Sequence, residues 1–139
     1  MHLPNHSLFE ELKKIGLPEG DYAIFGSGPL WVRGMRESND LDIIARGSAW
    51  EHAKANGMVD VKEECNLERA RFADGRIEIY HDWCPGEWNI DELIDTAERV
   101  DGIPFVKLEY VIDWKKQKGR EKDMKDLILI EEYLSKNNG

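Results

Sequence analysis

At 139 residues the chain has room for one domain with a real core and too little for a second. A charged fraction of 34% beside an apolar fraction of 41% is a globular composition, and no apolar run is long enough to span a bilayer, so no membrane partner is expected. The formal net charge of −9 counts against duplex DNA or RNA as a resident partner, because surfaces that bind duplexes are basic. Acidity leaves a nucleotide open as substrate, since magnesium carries positive charge into such a site.

The segment Met1-His2-Leu3-Pro4-Asn5-His6 has neither the basic nor the apolar region of a secretory signal, so a cytoplasmic protein is expected. In that setting Cys65 and Cys84 are expected as free thiols. Residues 7–16 read as a helix opened by a Ser7 cap and closed by Gly16. Residues 22–25 form a first strand that runs into Gly26-Ser27-Gly28. A short helix follows over 28–35, with Pro29 tolerated in its first turn. Residues 41–45 make a second strand, and 48–57 a capped helix ending on Asn56-Gly57. Asp74-Gly75 between the alternating runs 69–73 and 76–80 is a hairpin signal. Asn89 caps a helix over 89–98. Residues 103–106 read as an edge strand because of Pro104. Helices over 108–118 and about 121–135 finish the chain, punctuated by Gly119.

Asp40 and Asp42 carry the chemistry. On a strand with period two they project to one face while Leu41 and Ile43 project to the other. Two carboxylates about 6–7 Å apart on a stiff element seat hard divalent cations. Just upstream, the small-residue turn at Gly26-Ser27-Gly28 lets backbone N–H groups approach a phosphate. Glu78 shares a strand face with Arg76 and Tyr80. If its hairpin joins the sheet in register, Glu78 stands beside the two aspartates, and the three acids repel one another unless cations neutralise them. Such a triad suits two metal ions about 3.5–4 Å apart. A lone Glu on a strand is more often a solvated residue, and it is the Asp pair that turns the balance.

A second cluster is basic within an acidic chain. Lys115 and Lys118 lie on one helix face, and Arg120 and Lys122 begin the next helix, where backbone N–H groups favour anions. The ordinary fate of such a run is a solvated surface. The loop at 81–88 follows Glu78, and its Trp83 and Trp88 are either stacking platforms or anchors of the loop. Trp31, Trp50 and Trp114 fall on apolar helix faces and are expected in the core. His81 and Cys84 lack a second pair at zinc spacing, and His2, His6 and His52 have no identifiable partner.

Three segments resemble the minimal nucleotidyltransferases of the DNA polymerase β-like superfamily. Phe25-Gly26-Ser27 with Arg33-Gly34 and Ser38-Asn39-Asp40-Leu41-Asp42 is similar to the Gly-Ser … Arg-Gly … Asp-x-Asp motif. Glu78 is similar to the third carboxylate. Leu108-Glu109 through Lys115, with Gly119-Arg120-Glu121-Lys122-Asp123 and Asp126, resembles the C-terminal Leu-Glu … Lys … Gly-Arg-x-Lys-Asp-x-x-Asp pattern. The chain departs from the family in a longer interval at Pro29, Leu30 and Trp31, in Asn39 before the first Asp, and in Lys107 at a helix-cap position.

The resemblance implies an α/β (α+β) single domain with helices packed on a mixed β-sheet, the nucleotidyltransferase fold. It implies Mg²⁺-dependent transfer of a nucleoside monophosphate from a nucleotide triphosphate to a hydroxyl-bearing acceptor, with two ions at Asp40, Asp42 and Glu78. It implies that Gly26 and Ser27 hold phosphates, with Arg33, Lys115, Arg120 and Lys122 meeting the triphosphate or the acceptor. The acceptor pocket is then expected from the 81–88 loop, a second copy of the chain or a partner protein. The rival expectations are an antitoxin that modifies or binds its toxin, and a catalytically silent nucleotide-binding module.

Overall fold

Near-continuous apolar runs on the short central strands give a sheet with two greasy faces, and helices cover both. The computed structural model describes residues 1–137. Helix α1 (Ser7–Ile15) leads into strand β1 (Tyr22–Ile24), short helix α2 (Gly28–Trp31), β2 (Leu41–Ala45) and α3 (Gly47–Asn56). Strands β3 (Met58–Lys62), β4 (Leu67–Phe72) and β5 (Ile77–Tyr80) form a meander. Then come α4 (Ile90–Asp95), the hairpin β6 (Glu98–Val100) and β7 (Ile103–Phe105), and the helices α5 (Leu108–Lys118) and α6 (Glu121–Asn137).

The strands form one mixed sheet in the order β3-β4-β5-β2-β1-β7-β6. Strand β2 is antiparallel to β1 and parallel to β5, and β1 is parallel to β7. Leu41, Ile43, Ile77 and Ile79 face α1 and α3, where Leu8, Phe9, Ala49 and Trp50 complete a core. Ile44 and Tyr80 face the other way, into a second core with Phe25, Trp83, Leu93, Val111, Trp114 and Ile130. The fold is therefore a single-domain α+β structure with helices on a mixed sheet, as the sequence implied at that level. Among the described residues no helix is long and apolar enough to cross a membrane.

Several local expectations change. Strands β3 and β6 were not foreseen, and the helix at 89–98 stops at Asp95 so that Glu98 opens β6. The helix expected over 28–35 ends at Trp31, and the chain turns through Gly34 at φ 76°. Strand β7 is not an edge, because β6 folds back on it through Asp101-Gly102, both at positive φ. Arg99 and Pro104 face each other one step beyond the closing pair Val100↔Ile103. That step is a non-hydrogen-bonded pair, so the missing N–H of Pro104 leaves no gap toward β6.

The cap of α1 is His6, whose Nδ1 accepts from the Leu8 N–H at 3.1 Å, and not Ser7. His52 Nε2 lies 2.7 Å from the Ile15 carbonyl oxygen and His2 Nδ1 3.5 Å from Asp101, so all three of these histidines have neighbours that the sequence did not reveal. The cysteines are not free: Cys65 and Cys84 form a disulfide across a sequence separation of 19. It ties the turn between β3 and β4 to the loop after β5, two segments that meet only in the folded sheet. Trp31, Trp50 and Trp114 are buried as expected.

Candidate functional site

Strands β2 and β5 run parallel with Asp42 directly opposite Glu78. Neighbouring strands lie about 4.8 Å apart, so the backbone ladder itself brings these carboxylates together. Asp40 immediately precedes β2, and all three acids line one cavity of about 230 Å³. The same cavity is lined by Lys115 and Lys118 of α5, Arg120 of the following turn and Lys122 of α6. Ser27 and Arg36 close one side, and Lys62, Glu64 and Cys84 close the other.

Gly26 explains its own identity. Its φ is 58°, and a Cβ there would sit 2.8 Å from Asp42 Oδ2. Only glycine lets this turn run against the carboxylate without strain. The Phe25 N–H donates to the Asp42 carbonyl at 2.8 Å, which fixes the turn to β2. Asp42 is pushed up to about 7 by burial, by Asp40 and by Glu78, with Lys62 and Lys118 pulling the other way. At neutral pH this carboxyl therefore stands near its midpoint, and a cation beside it would relieve the repulsion.

Glu78 already has cationic company. Arg69 Nη1 donates to its Oε2 at 2.6 Å, Arg71 Nε lies 3.6 Å from the same oxygen, and the Tyr80 hydroxyl donates to Oε1 at 3.4 Å. Asp60 on β3 orients both arginines, accepting from Arg69 Nε at 2.6 Å and from Arg71 Nη1 at 3.3 Å.

The basic wall is built on a buried ionic network. Lys115, Asp123 and Asp126 have exposures of 2%, 0% and 4%. Lys115 Nζ lies 2.9 Å from Asp126 and 3.5 Å from Asp123. Arg36 makes a two-pronged contact with Asp126 at 2.7 and 2.9 Å, and its Nη2 also donates to Ser27 Oγ at 3.0 Å. Arg120 makes the corresponding fork with Asp123 at 2.6 and 3.0 Å. Three cations against two carboxylates leave one net positive charge facing the cavity. Lys118 is held separately by Glu64 at 2.8 Å.

Of the residues named from the sequence, all but one lie together. Asp40, Asp42, Glu78, Ser27, Lys115, Arg120 and Lys122 line one cavity, and Gly26 lies against Asp42. Arg33 does not join them. Its guanidinium donates to the Pro29 carbonyl at 2.9 Å and to Glu98 at 2.6 Å, on the side where β6 begins. Because α2 ends early, it is Arg36 that reaches Ser27 and the ionic network. Arg36 and Lys62 had not been singled out. The resemblance names Arg33 through its Arg-Gly pair and passes over Arg36, and Lys62 sits on β3, a strand the sequence does not announce. Trp83 is an anchor: it stacks on Phe25 at 4.6 Å and is buried among Tyr80 and Trp114, although it also borders the cavity.

An acidic floor facing a preassembled basic wall is suited to a polyanion bound through a divalent cation. In comparisons with known proteins the chain matches no family model, no curated protein and no solved structure.

Proposed function

We propose that this protein is a Mg²⁺-dependent nucleotidyltransferase that moves a nucleoside monophosphate from a nucleotide triphosphate to a hydroxyl-bearing acceptor, either a small molecule or a protein. The observation that carries the reading is the pairing of Asp40 and Asp42 with the buried Lys115 network across one cavity. The β2–β5 register that sets Asp42 opposite Glu78 supports a nucleotidyltransferase fold.

The donor set fits a hard cation, because Asp40 and Asp42 bring carboxylate oxygens to one cavity, where burial and their mutual repulsion favour a cation between them. Asp40 and Asp42 would hold Mg²⁺, which when bound neutralises charge on the phosphates. Lys115, Arg36 and Arg120 present the positive charge that orients the triphosphate, and Ser27 offers its hydroxyl beside them. The acceptor oxygen forms a bond to the α-phosphorus, the bond from that phosphorus to the bridging oxygen breaks, and pyrophosphate leaves. The acceptor proton passes to the carboxylate cluster.

A second reading, a nucleotide-binding module without transfer, has one observation in its favour: Glu78 is engaged by Arg69 and is not free to take that proton. Calorimetry of a nucleotide triphosphate with and without Mg²⁺, run beside pyrophosphate release, separates the readings. Transfer requires Mg²⁺-dependent binding and Mg²⁺-dependent pyrophosphate release that Asp42→Asn abolishes. Binding without release favours the silent module. Equal, tight affinity in chelator overturns both.

A further inference from the structure

We infer that this site takes one divalent cation per chain, at Asp40 and Asp42, and that the Arg69 guanidinium supplies at Glu78 the charge a second ion would bring. The inference rests on the nucleotidyltransferase reading of the cavity and narrows it.

The argument begins with register. Arg71 on β4 pairs with Glu78 on β5, Arg69 pairs with Tyr80, and Asp60 on β3 pairs with Arg69. Residues directly opposite in a sheet point to the same face, so Asp60, Arg69, Arg71, Glu78 and Tyr80 converge by backbone geometry alone. The resulting contacts satisfy both Glu78 oxygens: Oε2 accepts from Arg69 at 2.6 Å, and Oε1 accepts from Tyr80 at 3.4 Å.

Arg69 is itself held in place. Its Nε donates to Asp60 at 2.6 Å and its Nη2 to the other oxygen of the same carboxylate at 3.4 Å. A guanidinium fixed at both ends is preorganised and loses little freedom in gripping Glu78. A metal ion approaching Glu78 would have to break this contact and strand a partly buried arginine.

Charge balance points the same way. Asp60 and Glu78 carry two negative charges, and Arg69 and Arg71 carry two positive ones, so this quartet is neutral. With both ionised, Asp40 and Asp42 carry two negative charges, and neither pairs with a cation within 4.0 Å among the described residues, because Arg36 and Lys115 are paired with Asp126. One dication completes that pair. A second at Glu78 would leave the quartet with an excess of two positive charges.

Glu78 is then a positioning residue. It raises Asp42 from the neighbouring strand and anchors Arg69 at the cavity edge. The test is a count of Mn²⁺ bound to the full chain with a non-hydrolysable triphosphate analogue, read by electron paramagnetic resonance. We expect one uncoupled Mn²⁺ per chain. The count should stay at one in Glu78→Gln, and the affinity should fall at least about tenfold in Asp42→Asn. Two exchange-coupled ions in the wild type, reduced to one in Glu78→Gln, would overturn the single-ion inference and leave nucleotidyl transfer standing. No Mn²⁺ bound in the presence or absence of the analogue would overturn both.

Discussion

Replacing Asp42 with Asn removes a charge that the folded protein tolerates badly. The carboxyl rises from its usual 3.8 to about 7 through burial, Asp40 and Glu78. A shift of about three units at roughly 1.4 kcal/mol each corresponds to about 4 kcal/mol of stability. The direction is fixed by which state keeps the proton. Below the usual carboxylate range both states are protonated and no penalty exists. Between 3.8 and about 7 the folded protein keeps a proton that the unfolded chain has released, so stability falls as pH rises. Above about 7 the full penalty stands. Asn never ionises. Metal-free Asp42→Asn should therefore be more stable than wild type by about 3–4 kcal/mol at alkaline pH, with the gap closing toward acid. Urea denaturation of both proteins across that range measures it. Mg²⁺ should then raise the wild-type midpoint and leave the variant unmoved. A difference independent of pH, or a variant less stable than wild type at alkaline pH, would refute the account of Asp42 as a buried and repelled carboxylate.

Gly26→Ala forces a side chain onto Asp42 at a backbone φ of 58°, and should cost about 1–3 kcal/mol in a thermal or urea melt. Lys115→Met leaves Asp123 and Asp126 short of a buried partner, and should cost about 3–5 kcal/mol by chemical denaturation. Adding Asp126→Asn to it should cost less than the sum of the single changes, because the two residues are in contact. Breaking the Cys65–Cys84 disulfide, by a dithiol reductant or by Cys84→Ser, should lower stability by about 3 kcal/mol given its separation of 19 residues. Urea curves with and without reductant read that loss.

What the sequence made legible was local. Strand β2 carries its own alternation, and Asp74-Gly75 announces the turn between β4 and β5, so the acids on those strands were readable before their contact was. Gly119 and Asn89 behave as the sequence suggested, one as a left-handed helix end and the other as a side-chain cap. What was not legible depends on distant partners. Strand β6 is polar along most of its length, and only its pairing with β7 makes it a strand. Arg33 and Arg36 differ by three positions, and the early end of α2 decides which one enters the cavity. Cys65 and Cys84 look unrelated until the meander brings their Cα atoms to 6.5 Å. The grip of Arg69 on Glu78 follows from a β3–β4–β5 register that a strand-by-strand reading does not contain.

The ionic network under the basic wall also decides how the molecule comes apart. Of the fully buried residues that α6 contributes, two are Asp123 and Asp126 and one is Ile130. Burial works to raise both carboxyls. For Asp126 the hydrogen bonds from Arg36 and Lys115 outweigh it, and for Asp123 those from Arg120 do, so both sit below the usual carboxylate range. The stability they supply is present at neutral pH and lost as acid protonates them. On strand β2 Asp42 has the opposite dependence, since acid removes its repulsion. The C-terminal helix is thus expected to open as a unit of its own, since charged pairs at Asp123 and Asp126 join Ile130 in holding it. In acid it should let go first, withdrawing Lys122 and the carboxylates that hold Lys115, Arg36 and Arg120 while the sheet and its own carboxylates stay folded.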